Sequence, residues 1–208
     1  MKNIFLLTII GLSLAFSTLS AQDFGLRIGL NSTNAKVDFD DAEIETDGQT
    51  NLALGAFVNI PLGTEVFSIQ PEITYLNRGY STEVEVGDFL EFERTVAYLD
   101  LGVLARLNFG SDDGLGFYVG AGPYYSYAIS GTQTVLGDES DIDFDADRVN
   151  RSDLQLAGAA GVTINLGIKV FAEARYMGSL GNQSDLDDVE IRQRSIGLHA
   201  GVMVPIGG

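Results

Sequence analysis

A chain of 208 residues with 45% hydrophobic residues and 25 glycines has the length and composition of one all-β domain, neither disordered nor collagen-like. The net charge of −17 argues against nucleic acid as a partner. The absence of cysteine rules out a disulfide framework and a thiolate metal site.

In chain order, residues 1–21 read as a cleaved secretory signal peptide: Lys2, an apolar core from Ile4 to Phe16, then Ser17 to Ala21 before Gln22. That core is too short for a membrane-spanning helix, and no other run approaches ~18 apolar residues. Residues 22–208 are then a single domain. Eight strands follow: Phe24–Asn31, Leu52–Ile60, Phe67–Asn77, Tyr98–Phe109, Phe117–Tyr127, Leu154–Leu166, Ile168–Gly178 and Ile196–Val204. Short links at Pro61–Val66, Gly110–Leu115 and Gly167 alternate with long ones at 31–51, 77–96, 130–153 and 178–195. In an antiparallel up-and-down meander, long and short links gather at opposite ends. That is the asymmetry of outer-membrane barrels, which also need an even strand number.

Side chains alternate across a strand with period two. In the hairpin Tyr98–Tyr127, Leu99, Leu101, Val103, Ala105, Leu107 and Phe109 share one face, with Phe117, Val119, Ala121, Pro123, Tyr125 and Tyr127 following suit. The equivalent face of all eight strands carries no charge. The opposite face carries Arg27, Glu72, Asp100, Arg106, Lys169, Glu173 and Arg175, with many small residues such as Gly29, Gly102, Gly120 and Gly161. A soluble lipocalin-like barrel would turn the apolar face inward and show long polar side chains to water. Glycine and alanine suit instead the crowded interior of a narrow barrel, and eight strands leave an interior that side chains fill. The pattern predicts an eight-stranded transmembrane β-barrel, apolar outside and small or charged inside. Phe24, Phe67, Phe109 and Phe117 lie at the short-link end of the apolar face. Tyr75, Tyr125, Tyr127 and Tyr176 lie toward the long-link end, as two interfacial belts would. Pro71 and Pro123 fall inside strands bonded on both sides, so bulges are expected there.

Four positive and three negative lumen groups in a narrow interior must pair, because an isolated buried charge is costly. Arg27, Glu72, Asp100, Arg106, Lys169, Glu173 and Arg175 are therefore expected to form one salt-bridge network that plugs the barrel; a gated narrow pore is the alternative. The long links hold most of the 29 acidic residues. Such an acidic crown repels anionic headgroups unless divalent cations bridge them. Asp141, Asp143, Asp145 and Asp147 alternate with Ile142, Phe144 and Ala146, as a weak divalent-cation loop could. Ala146 nevertheless stands where a calcium loop needs glycine, and Ser152 where it needs glutamate. The sole histidine, His199, lies on the inward face of the last strand, and there is no Gly-x-Ser-x-Gly elbow and no His/Cys cluster. No enzyme activity, cofactor or resident metal is expected.

The segments FGLRIGLN, FSIQPEITYLNRGY, YLDLGVLARLNF, GFYVGAGPYYSY and IKVFAEARYMGSL resemble, in order, the PorT-like outer-membrane β-barrel family of Bacteroidota. The resemblance implies an outer-membrane location and an eight-stranded barrel. It implies no single function, since some relatives assist protein secretion. The chain departs from many such barrels in ending Val204-Pro205-Ile206-Gly207-Gly208 rather than on an aromatic residue. The expected partners are outer-membrane lipid and, through the loops, envelope or secretion-machinery proteins. The expected role is structural or interactive, with a small porin-like channel or secretion accessory as the alternative.

Overall fold

The computed structural model describes residues 22–39, 42–45, 47–86, 88–110, 114–135, 138–144, 146, 150–181 and 189–206. The signal-peptide segment lies outside them. Ten strands form one antiparallel sheet: β1 (Asp23–Phe39), β2 (Ala42–Glu45), β3 (Asp47–Leu62), β4 (Thr64–Val86), β5 (Asp88–Gly110), β6 (Leu115–Val135), β7 (Asp138–Asp141), β8 (Ser152–Asn165), β9 (Lys169–Ser179) and β10 (Val189–Pro205). Each long strand pairs with its neighbours in sequence, and β10 pairs back onto β1 from Asp23↔Pro205 to Phe39↔Val189. The short strands β2 and β7 add to β1 and β6 without entering the wall. The wall is thus a closed barrel of eight staves, which abolishes free sheet edges.

The strands outrun their predicted bounds at the long-link end. The link expected at 77–96 is largely a paired hairpin, with β4 and β5 in register up to Val86↔Asp88. At the other end the turns are tight, and Gly63 and Gly167 take left-handed backbone at φ 72° and 91°, where a Cβ would be strained.

Alternation sorts the wall as expected. Leu26, Ile28, Leu101, Val103, Leu154, Leu156, Ile196 and Leu198 are exposed on the outer face, whereas Arg27, Glu72, Asp100, Leu104, Arg106, Glu173 and Arg175 are buried inside. A soluble protein rarely exposes a contiguous apolar patch beyond a few hundred Å². Here the patch runs round all eight staves, as hydrocarbon solvent requires. Phe67, Phe109 and Phe117 are exposed at one rim, and Tyr75, Tyr125, Tyr127 and Tyr176 toward the other. Ile60 departs from the scheme: it is buried, beside the register shift between Pro61 and Leu62 where alternation breaks down.

Two further expectations are corrected. No bulge forms at either proline. Pro71 pairs with Val103 and Pro123 with Leu156 in unbroken register, and the ladder merely skips Val58 and Asn59 beside Pro71, and Val103 and Leu104 beside Pro123. A proline that aims its missing donor at one neighbour forfeits that rung and keeps the other side. The irregularities lie instead between Gly48 and Ala53, at Pro61/Leu62 and at Ala97/Tyr98. Nor is the interior merely small. Phe57, Tyr98, Leu104, Tyr118, Tyr124, Phe171, Met177 and Met203 are buried there. Glycines make the room: Phe57 lies over its cross-strand partner Gly25, Tyr124 over Gly102 and Tyr118 over Gly161. A Cβ at any of these three would sit inside the ring's van der Waals surface.

Candidate functional site

The lumen is filled in three tiers. At the short-turn end Phe57, Phe171 and Met203 pack together, the two rings edge-on at 5.5 Å between centroids. Nearby, Lys169 Nζ pairs with Asp23 Oδ2 at 2.9 Å, with a quarter of the lysine side chain exposed.

The middle tier is charged. Glu72 on β4 lies between two guanidiniums. Arg27 on β1 donates to it through Nη1 at 3.0 Å and Nη2 at 2.7 Å. Arg175 on β9 donates through Nη2 at 3.2 Å and through Nη1. The Tyr124 hydroxyl and, at 2.8 Å, Gln70 Nε2 also donate to it. Glu173, two residues before Arg175 on the same face, receives Arg175 Nε at 2.9 Å and the Tyr118 hydroxyl at 2.8 Å. Arg27 Nη1 stands 3.8 Å from Glu173, and His199 Nδ1 stands 3.7 Å from it. The four charged side chains are no more than 2% exposed. Two bidentate arginines, on the staves either side of β10, balance two carboxylates, which is the arrangement a low-dielectric interior tolerates.

Arg106, predicted to join this network, pairs with no carboxylate among the described residues and reaches Glu72 through Gln70. Its guanidinium lies 3.7 Å over the Tyr118 ring and donates to Gln70 and, at 3.1 Å, to Asn108 Oδ1. A ring face and amide oxygens serve as its counter-surface.

The upper tier holds Asp100, paired with Arg78 rather than with the central cluster. Arg78 also donates to Gln155 Oε1 at 3.2 Å and lies 4.7 Å from the Tyr98 ring centre. Gln155 donates to Asp153, which also accepts from Ser179. Above them Ile142 and Phe144, just past β7, fold back into the mouth and pack with Ala53, Leu76, Val96, Tyr98 and Ala128. Arg151 lies 4.5 Å over Phe144. The expected single network is therefore three separate groups at three heights, set apart by the spacing of inward positions along tilted strands. Arg78, Asp23 and the Ile142–Phe144 fold-back were not foreseen. Arg78 was within reach, being the next inward position after Glu72, Thr74 and Leu76.

Of the acidic loop, Asp141 ends β7 and is exposed. Asp143 is exposed and accepts the Ala146 amide at 3.2 Å; Asp145 and Asp147 lie outside the described residues. No group of three or more His, Asp or Glu side chains placed to hold a metal occurs among the described residues.

An apolar belt facing out, two aromatic rims and a charge-paired interior define an integral β-barrel of the bacterial outer membrane. The chain belongs to the family described as "Outer membrane protein beta-barrel domain", whose model matches residues 20–185. Among solved structures it is similar to the outer membrane protein OprG from Pseudomonas aeruginosa at 15% identity, covering 91% of this chain and 98% of that one with a TM-score of 0.47. It is also similar to Neisserial surface protein A, at 14% identity, 86% and 96% coverage and a TM-score of 0.44. A third is Ail, the attachment invasion locus protein of Yersinia pestis, at 16%, 88% and 99%, and 0.42. No curated protein sequence matches.

Proposed function

We propose that this protein is a non-conducting outer-membrane barrel that acts through its outer loops, as a structural or interaction module of the cell envelope. The observation that carries this reading is the tiered lumen: Phe57 and Phe171, then Glu72 and Arg175, then Leu76, Tyr98 and Phe144 are all buried at successive heights. A water-filled channel needs wetted lumen side chains at every height. Its partners are outer-membrane lipid and, at the acidic loops, envelope proteins and divalent cations. His199, buried against Gly29 and beside Glu173, packs the lumen and serves no catalysis. Purified protein in planar lipid bilayers is the test: the reading expects no steady single-channel current, and a steady open level refutes it.

The second reading is a PorT-like secretion accessory or small porin-like channel, which the resemblance of the strand segments favours. Crosslinking in intact outer membrane followed by identification of bound proteins separates the two. Recovery of secretion-machinery subunits supports the second.

A further inference from the structure

We propose that the upper lumen holds a column of ordered water along β10, β1, β3 and β4, running from the mouth down to His199 and stopping at the charged middle tier. Those four adjoining staves each turn a polar side chain inward there: Gln193 on β10, Thr33 on β1, Asn51 on β3 and Arg78 on β4. Register brings them together. Thr33 pairs with Ser195, one inward step below Gln193. Asn51 pairs with Asn31, one inward step below Thr33. Asn51 and Arg78 are the next inward positions beyond the pair Ala53↔Leu76. Thr33, Arg78 and Gln193 are 1%, 1% and 6% exposed, yet Thr33 Oγ1, Asn51 Nδ2, Gln193 Oε1 and Arg78 Nε and Nη1 make no hydrogen bond within the protein. Below them the Asn31 amide and the His199 ring both lie over Gly197, and His199 Nε2 is likewise unpaired.

Chemistry selects the ligand. Buried polar atoms are bonded in native proteins, and where no protein group reaches them ordered water does, each water taking about three partners. The unpaired set mixes donors on Arg78 and Asn51, an acceptor on Gln193 and a hydroxyl on Thr33 that serves as either. Water matches that mixture. Arg78 is already paired with Asp100, and across the lumen Asp153 is held by Gln155 and Ser179, so a further ion would bring an uncompensated buried charge. Gln49, one inward step above Asn51, is committed to Glu93 and Thr95. Ile142 and Phe144 pack against Ala53, Leu76, Val96, Tyr98 and Ala128, on β3 to β6. Apolar side chains therefore fill that side of the mouth, and the polar arc lines the other. At the floor, Arg175 is bonded to both Glu72 and Glu173, so the demand for water falls away there. The floor of the column is the seal of the non-conducting barrel proposed above, and on that reading its lower end rests.

The test is water-edited solid-state NMR on the isotope-labelled full-length barrel in lipid bilayers. Magnetisation from water is expected to reach the Thr33, Asn51 and Arg78 side chains roughly fivefold faster than the Phe57 and Phe171 rings beneath the middle tier. T33V/N51L replaces polar atoms of the arc with methyl groups and should slow the transfer to Arg78 roughly threefold. Transfer to Arg78 no faster than to Phe57, or unchanged in T33V/N51L, overturns the column. If the double variant does not fold to a closed barrel, the wild-type comparison and T33V decide, and T33V must slow the transfer to Arg78. A dry arc in a barrel that passes no current sinks the column alone. A steady bilayer current, with Phe57 wetted as fast as Arg78, sinks the seal as well.

Discussion

Glu72 is the most heavily shared acceptor of the middle tier, so Glu72→Gln is the informative perturbation. The substitution keeps shape and one acceptor oxygen and removes one charge. It leaves Arg27 and Arg175, each 2% exposed, sharing Glu173 alone. Removing one partner of a buried ion pair costs about 3–5 kcal/mol, because the remaining charge is left uncompensated. The companion is Glu72→Gln with Arg175→Gln, which restores the balance to one positive and one negative charge. If uncompensated charge is the dominant cost, the double variant should be at least about 1 kcal/mol more stable than the sum of the singles. The chain contains no tryptophan, so urea unfolding of vesicle-reconstituted barrel is followed by far-ultraviolet circular dichroism and extrapolated linearly. A Glu72→Gln cost below about 1 kcal/mol, or additive singles, would refute the claim that the tier is held by charge balance.

Four more outcomes follow from the same geometry. Gly102→Ala drives a methyl into the Tyr124 ring and should cost about 1–3 kcal/mol. Gly158→Ala, on the lipid face with nothing within 4 Å, should be neutral or slightly stabilising in the same unfolding assay. Lys169→Gln should cost under about 1 kcal/mol, since its pair with Asp23 is partly solvated. Phe144→Ala frees Arg151 and loosens the fold-back in the mouth, so trypsin cleavage at Arg151 should quicken roughly tenfold while the barrel's circular dichroism is unchanged.

The barrel was legible because hydrocarbon and lumen impose a strict period of two, and only Ile60 strays among the residues named for it. Strand ends were less legible. Above the membrane, alternation no longer has to separate lipid from lumen, so paired stretches such as Thr82↔Phe92 read as loop. Arg78 was lost to that early stop. The partition of the lumen charges was hidden for another reason. Pairing depends on height around a tilted cylinder, which needs the register of every stave. Phe57 and Phe171 stand as bulky residues on a small-residue face. Gly25 opposite Phe57 and Gly201 opposite Phe171 show that the small residue and the large one are a single packing unit split across two strands.

That division bears on whether the lumen opens. A conducting path through the middle tier must part Arg27 and Arg175 from Glu72 and swing Tyr118 and Tyr124 off Gly161 and Gly102. Separating the ions alone costs about 3–5 kcal/mol, which bounds an open population at roughly one molecule in 10² to 10⁴. Current through wild-type protein should therefore be absent or confined to rare brief events. Glu72→Gln, by removing the group both arginines share, should make such events more frequent. A wild-type barrel that conducts steadily, with Glu72→Gln no different, would mean that the charged tier does not seal the lumen.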